Sequence, residues 1–262
     1  MQNEATMMTF RASDGNTVKL EYHRSLPSAS DLAKEYARRG YPDRYVVFAE
    51  KQTGASAVDG SVSDNNPESG LYLSCILRPS IFPSQAGALG ALSAVAFALA
   101  LEEHTMQKIG IGWVSDIYCA DKKIGYTSVE GKLDDYTSYE YLIVNFAVKL
   151  DPKRFTPRLT DMLRRVFEEE NLSIHAIMAK TVLNRFFAIY REIKTPAKHL
   201  NSYASKSVLT DKKIKYIENG RKKTVKVVGI NKTNLALTVE TRDGRTIDVT
   251  SPSAIILPNR IK

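Results

Sequence analysis

Gly112-Trp113-Val114-Ser115-Asp116-Ile117-Tyr118 is followed, three residues on, by Lys122-Lys123-Ile124-Gly125. The only tryptophan of the chain stands here at a strand end, beside an acid and just ahead of two lysines. Lys123 is the residue type that neutralises a phosphate or carboxylate, and Trp113 offers a flat face for stacking. The same residues also suit a plain hairpin whose lysine pair is a solvated turn. Ile109 to Cys119, Lys123 to Glu130 and Glu140 to Leu150 read as three successive strands. Asp121 marks the first turn between them, and Asp134 to Ser138 the second.

Upstream, Val18 to Tyr22 alternates as a strand. Ser30 is the expected cap of a helix from Asp31 to Arg39, which Gly40 ends. Arg44 to Glu50 reads as a buried strand and Gln52 to Ser69 as a long loop of Gly, Ser, Asp and Asn. Leu71 to Leu77 is another strand, and Ser84 to Glu103 a helix of small residues. Downstream, helices are expected at Pro157 to Glu170 and Ile174 to Ile193. The period then shortens to strands at Lys213–Ile217, Thr224–Ile230, Ala236–Thr241 and Thr246–Thr250. Asn219-Gly220 and Asp243-Gly244 supply hairpin turns between them. The expected fold class is α+β, a mixed β-sheet with packed helices followed by a small β-barrel.

The chain has 262 residues, 43% hydrophobic and 25% charged, an ordinary globular composition. Its net charge of +8 is unevenly placed. Residues 206–262 hold 13 Lys/Arg and 5 Asp/Glu, and residues 1–205 hold 24 of each, so the whole excess lies in the last fifth. That step divides the chain into an α+β domain, 1–205, and a basic module, 206–262, which would meet an acidic partner or simply present a solvated face. Cys75 and Cys119 lie in apolar segments, which points to buried thiols and a cytoplasmic setting. No secretory leader is expected at Met1 to Arg11, and the apolar run Ala86 to Leu101 reads as a buried helix rather than a membrane span. His23, His104, His175 and His199 are scattered, so no metal site is expected. A phosphate-binding P-loop, a dinucleotide fingerprint in strand-turn-helix context and a G-x-S-x-G elbow are all missing.

The opening stretch resembles the biotin protein ligases, whose catalytic domain carries K-W-P-N-D, a hairpin and K-[ILV]-x-G-I-L-x-E. Here the same positions read Gly112-Trp113-Val114-Ser115-Asp116 and Lys123-Ile124-Gly125-Tyr126-Thr127-Ser128-Val129-Glu130. Leu26-Pro27-Ser28-Ala29-Ser30-Asp31 is similar to the family's D-S-T-N segment. Ala49-Glu50-Lys51-Gln52-Thr53 looks like A-E-x-Q-T, and Gly70 to Pro79 like G-L-Y-L-S-x-x-L-R-P. Val144-Asn145-Phe146 falls where the family has G-I-G-I-N-V. The resemblance implies a biotin/lipoate ligase-like domain and an SH3-like C-terminal barrel. The N-terminal DNA-binding domain of the repressor members has no expected counterpart. It places Ser28, Gln52 and Thr53 at the biotin end, together with Tyr126. Lys123 would face the carboxylate or phosphate. Trp113 and Asn145 would lie on the adenosine side, and Asp116 near the metal or acceptor lysine.

The departures bear on function. The family's G-R-G-R-x-G-R loop is here Gly54-Ala55-Ser56-Ala57-Val58-Asp59-Gly60-Ser61, with no arginine. The lysine of K-W-P-N-D is Gly112, its Asn is Ser115, and a glycine of the biotin site is Tyr126. Losing one charge-assisted contact to a transition state typically costs about 10²–10³ in rate, so several such losses predict reduced or absent ligase activity. Arg78 and the basic tail are the cations that would have to stand in. The first reading is therefore a pseudoenzyme with a binding or regulatory role, with no certain cofactor. The second is an active, divergent ligase that uses ATP, biotin or another carboxylic acid, and Mg2+, to modify a carrier-protein lysine. The third is nucleic-acid binding through the basic barrel, disfavoured because Tyr216 is its one aromatic. An acidic biotin carrier domain would fit the charge equally well, and the family's habits allow a homodimer; no membrane partner is expected.

Overall fold

In the strands the side-chain period of two decides which face each residue shows. In β3 (Tyr45–Ala49) Val46 and Phe48 enter one apolar cluster, while Tyr45, Val47 and Ala49 enter another on the opposite side. The computed structural model describes residues 5–54, 70–105, 107–134, 138–149 and 174–257. The other strands are β1 (Thr6–Arg11), β2 (Thr17–His23), β4 (Gly70–Leu77), β5 (Ile109–Gly112), β6 (Asp116–Cys119), β7 (Lys122–Leu133) and β8 (Tyr139–Lys149). These eight form one sheet in the order β1-β2-β3-β4-β8-β7-β6-β5. Only the β2–β3 pairing is parallel, so the sheet is mixed.

The helices are α1 (Ala29–Arg38), α2 (Pro83–Thr105), α3 (Ile174–Tyr190) and α4 (Ala197–Ser205). α2 and α3 cover one sheet face, where Phe146 meets Phe97 and Phe186 edge-on at 5.4 and 5.3 Å. α1 covers part of the other face with Ala29, Ala33 and Ala37, whose small side chains let it lie close to Val47, Ile76 and Ile143. α2 has the length and apolarity of a membrane span over Ala86–Thr105, yet Leu89, Leu92, Val95 and Phe97 are buried in the protein interior. The expectation of a buried helix there is met.

Several expectations need correction. The cap of α1 is Ser28, not Ser30: Ser28 is extended and its Oγ accepts from the Asp31 N–H at 3.2 Å, which leaves Ser30 inside the first turn. Ile109 to Cys119 is not one strand but two, β5 and β6, reversed through Trp113–Ser115. Helix α4 was not anticipated, because its polar residues hide the burial of Leu200 and Tyr203. The helix expected at Pro157 to Glu170 and the loop from Ala55 to Ser69 lie outside the described residues.

After α4 the chain pairs with the β5 edge, Ile111 donating to Lys206 and accepting from Val208. A second, all-antiparallel sheet follows: β9 (Lys213–Glu218), β10 (Arg221–Ile230), β11 (Leu237–Glu240), β12 (Thr246–Val249) and the short β13 (Ile255–Ile256), in the order β12-β11-β10-β9-β13. Asn219 and Gly220 both have positive φ, 51° and 73°, as the tight β9–β10 turn requires. Ile214, Val225, Val227 and Val239 join the same apolar interior as the large sheet. Cys75 and Cys119 are both buried and are not joined in a disulfide.

Candidate functional site

The site follows from the register of three neighbouring strands. Asn145 on β8 lies opposite Ser74 on β4 and Ser128 on β7. One pleat along, Ala147 lies between Tyr72 and Tyr126; one pleat the other way, Ile143 lies between Ile76 and Glu130. Residues two apart share a face. A polar stripe of serine, asparagine and serine is therefore built across the sheet, with Tyr126 and Glu130 on either side of it along β7. Where α1 stops covering it, the stripe floors a cavity of about 310 Å³. Ser28, Ser30, Asp31 and Lys34 of the α1 entry, with Gln52, make its wall.

Hydrogen bonds fix this floor. Asn145 accepts from the Ser74 hydroxyl at 2.7 Å and donates to Ser128 Oγ at 3.0 Å and Glu130 Oε1 at 3.2 Å. On the wall, Gln52 Oε1 accepts from the Ala29 N–H at 2.6 Å, so the glutamine is tied to the start of α1. Lys34 Nζ stands 2.7 Å from Glu130 and 3.6 Å from Asp31. The charged lining is thus two carboxylates and one shared ammonium. Burial, assisted by the nearby Glu130 charge, raises the Tyr126 hydroxyl above its ordinary pKa.

Of the residues expected from sequence, Ser28, Gln52, Tyr126 and Asn145 come together in this cavity. Thr53 is exposed, and its N–H donates to the Leu26 carbonyl. Lys123 and Asp116 lie outside the lining and hold each other at 2.7 Å, with Lys123 Nζ 6.0 Å from the Tyr126 ring centre. Burial raises the Asp116 carboxyl, against the lowering effect of Lys123. Trp113 is 4% exposed and gives its Nε1–H to the Leu235 carbonyl at 2.8 Å, so its indole joins the two sheets instead of lining the cavity. Tyr203 closes the same turn by donating to the Val114 carbonyl at 2.5 Å. Arg78, a possible stand-in for the missing arginines, is consumed in place. Its guanidinium donates to the carbonyls of Ala37, Tyr41 and Glu140 at 2.7, 2.9 and 3.1 Å.

Sequence reasoning missed Tyr72, Ser74, Ser128 and Lys34 as lining residues. The signal was there: polar residues two apart within otherwise apolar strands, at 72 and 74 and at 126, 128 and 130, mark one uncovered face. Among the described residues no three His, Cys, Asp or Glu side chains gather as metal ligands would.

No family model matches the chain. A bifunctional ligase/repressor, BirA, of Bacillus subtilis is 28% identical over 178 residues, covering 67% of this chain and 55% of its own length. The chain thus spans about half the length of that curated relative. Among solved structures, a biotin protein ligase from Aquifex aeolicus in complex with biotin and ATP superposes with a TM-score of 0.68. It is 19% identical and covers 90% of this chain and 97% of its own. The chain is thus similar in sequence to a ligase/repressor and has the fold of the biotin protein ligases. A biotin protein ligase-like protein of unknown function from a Silicibacter species shares the fold at 14% identity and a TM-score of 0.63, covering 92% of this chain and 97% of its own.

At the position that the resemblance matches to the ligases' lysine, the space beside the backbone is closed. A Cβ placed on Gly112 would stand 2.7 Å from the Tyr118 ring and 3.3 Å from Asp116 Cβ. The position matched to a family glycine carries the Tyr126 ring into the cavity.

Proposed function

We propose that the chain is a biotin-protein-ligase-like binding or regulatory protein whose ligase chemistry is reduced or lost. The observation that carries this reading is the state of the cations around the cavity. Lys34 is shared by Glu130 and Asp31, Lys123 is held by Asp116, and Arg78 is spent on three carbonyls. Residues 54–69 contain no Lys or Arg, and carry Asp59, Asp64 and Glu68. Joining a carboxylic acid to ATP brings two anions together, and its catalysis rests on positioned positive charge. Biotin, ATP and Mg2+ together would place at least two anionic groups against a lining whose one described cation, Lys34, is already shared by two carboxylates, so this lining does not fit that set. Ser28, Gln52, Tyr126 and Asn145 are proposed as ligand-binding residues. Lys123 and Asp116 are proposed as the remnant of the catalytic pair, and Trp113 as a joining residue.

Residues 206–262 are proposed as a separate SH3-like module. Its excess of lysine supports an acidic protein partner, such as the carrier domain that a ligase of this family would modify. An active ligase for another carboxylic acid is a second reading. It is supported by Lys123, which stands beside Tyr126 and is paired with a carboxyl whose pKa burial raises.

Incubation with biotin, ATP and Mg2+, followed by mass spectrometry beside a known active ligase, tests the proposal. No biotinyl-adenylate above blank is expected. Adenylate formed at a rate within about 10²-fold of the control would overturn it.

A further inference from the structure

The outer face of the C-terminal sheet carries a pattern fixed by three neighbouring strands. Lys215 on β9 lies between Thr224 on β10 and Ile256 on β13, and Lys213 lies directly opposite Lys226. Residues two apart share a face, so Lys213, Lys215, Lys226 and Val228 point away from the buried Ile214, Val225 and Val227. Ile256 and Val228, 39% and 49% exposed, stand at two corners of this face. At ordinary strand spacing and rise they are about 16 Å apart along a diagonal, with Lys213 near its midpoint and Lys215 and Lys226 to either side. Lys226 has Asp211 at 2.9 Å and lies opposite Glu240, and Lys215 reaches the Thr224 hydroxyl at 2.8 Å. Lys213, at the centre, has no acid within ion-pair distance among the described residues. Like charges held face to face across a ladder cost stability, and opposite charge brought from outside removes that cost.

The face itself selects the class of its occupant. Single-stranded nucleic acid is held by stacking on aromatic rings as well as by charge. Tyr216, the one aromatic of residues 206–257, packs against the interior instead. A membrane surface is entered by Trp, Phe and Leu beside basic residues, whereas the exposed apolar side chains here are a valine and an isoleucine. A protein surface of carboxylates and small apolar groups matches both features. Its local structure follows from backbone hydrogen bonding. A strand pairs only with a sheet edge; laid across a face, it would press its N–H and C=O groups against side chains that leave them unpaired. A helix arrives with its backbone already paired. Its first, fifth, eighth and twelfth places fall on one side, and the outer two are about 16 Å apart.

We infer that the outer face of the C-terminal sheet docks an acidic amphipathic helix of a partner protein. The helix carries an apolar residue at each end of a three-turn stripe, for Ile256 and Val228, and two carboxylates between them over Lys213. This rests on the reading that residues 206–262 meet an acidic protein, and it names that partner's local structure and spacing.

The test uses two labelled, stapled helical peptides of one composition, titrated into the full chain and read by fluorescence anisotropy. In the first, isoleucines stand eleven residues apart, with glutamates at the fourth and seventh places after the leading isoleucine. In the second, the glutamates are moved to the opposite side of the helix. The first peptide is expected to bind at least about tenfold more tightly, the order of one well-placed charge pair, and to weaken as salt is raised. Lys213→Glu should remove that preference, and Val228→Ser, which leaves the charges in place, should weaken the first peptide about fivefold; thermal melts confirm that both variants are folded. Equal binding of the two peptides overturns the helical register and leaves an acidic protein partner standing. No binding of either peptide overturns the inference. Tighter binding of a single-stranded oligonucleotide or of phosphatidylserine vesicles overturns the acidic-protein reading with it. Unchanged affinity in folded Lys213→Glu overturns the placement on this face.

Discussion

The cavity and the outer face of the C-terminal sheet use charge in opposite ways. In the cavity each described charge is answered: Lys34 by Glu130 and Asp31, and nearby Lys123 by Asp116. On the outer face, Lys213 lies directly opposite Lys226, and Lys222 opposite Ile217. Lys226 finds Asp211 at 2.9 Å and Lys215 leans on the Thr224 hydroxyl, while among the described residues Lys213 and Lys222 have no acid within ion-pair distance. Like charges facing across a ladder destabilise it. A sheet that keeps them presents charge outward, whereas the cavity consumes its own. Val228 and Ile256, 49% and 39% exposed, interleave apolar surface with those lysines, a mixture better suited to a protein than to a nucleic acid.

The joint between these regions offers the strongest way to break the comparison. Trp113→Ala removes a buried indole and its bond to Leu235. It should cost about 3–5 kcal/mol in chemical denaturation, with the C-terminal sheet losing amide-exchange protection first. Retained protection there would mean that the two sheets hold together without it.

A smaller effect should come from the cavity floor. Asn145→Ala strands the Ser74 hydroxyl, itself 2% exposed, and releases Ser128 and Glu130. The expected loss is about 1–3 kcal/mol, read from the urea midpoint. An unchanged midpoint would show that the polar stripe is not a fixed network.

The apolar face supplies an acid-sensitive reference that belongs to neither region. His104 stands at the end of α2 with Nε2 2.9 Å from Thr181 Oγ1, and the threonine hydroxyl hydrogen goes to the Ile177 carbonyl. The imidazole is therefore the donor through Nε2, and its buried Nδ1 has no partner. Burial lowers the His104 pKa below its ordinary 6.5, with Glu103 opposing. The folded state thus disfavours the proton that the unfolded chain accepts. Stability from this group is full above pH 6.5 and falls as pH drops below it. His104→Gln should flatten that slope in melts between about pH 7 and 5.

The smallest effect belongs to the outer face. Lys213→Glu opposite Lys226 should stabilise the chain by about 0.2–1 kcal/mol and weaken capture of an acidic partner. Destabilisation would mean that Lys213 already has a compensating role.

Much of the fold was legible because alternation is a local signal. Val46 and Phe48 against Val47 and Ala49 announce a strand buried on both faces, and Asn219-Gly220 announces its turn. The cavity was half legible. Ser28, Gln52, Tyr126 and Asn145 came from resemblance, yet their meeting depends on the registers of β4, β7 and β8, which no single strand encodes. The hydrogen bond of Trp113 was not legible because spacing says nothing about what lies across the fold: its partner Leu235 is 122 residues away in sequence. Ser30 misled because two serines, at 28 and 30, fit the capping pattern, and only the backbone selects between them.

Gly112 carries a consequence for how such a chain changes over generations. The space that a side chain would need at that position is filled by Tyr118, which is fully buried, and bounded by Asp116. A lysine placed there would arrive into an occupied room and cost stability before it could add any chemistry. Any larger residue at that position needs a change at Tyr118 first, so each single step would be worse than its neighbours. Gly112 is thereby entrenched: the tyrosine that completes the core also acts as a ratchet on the residue facing it.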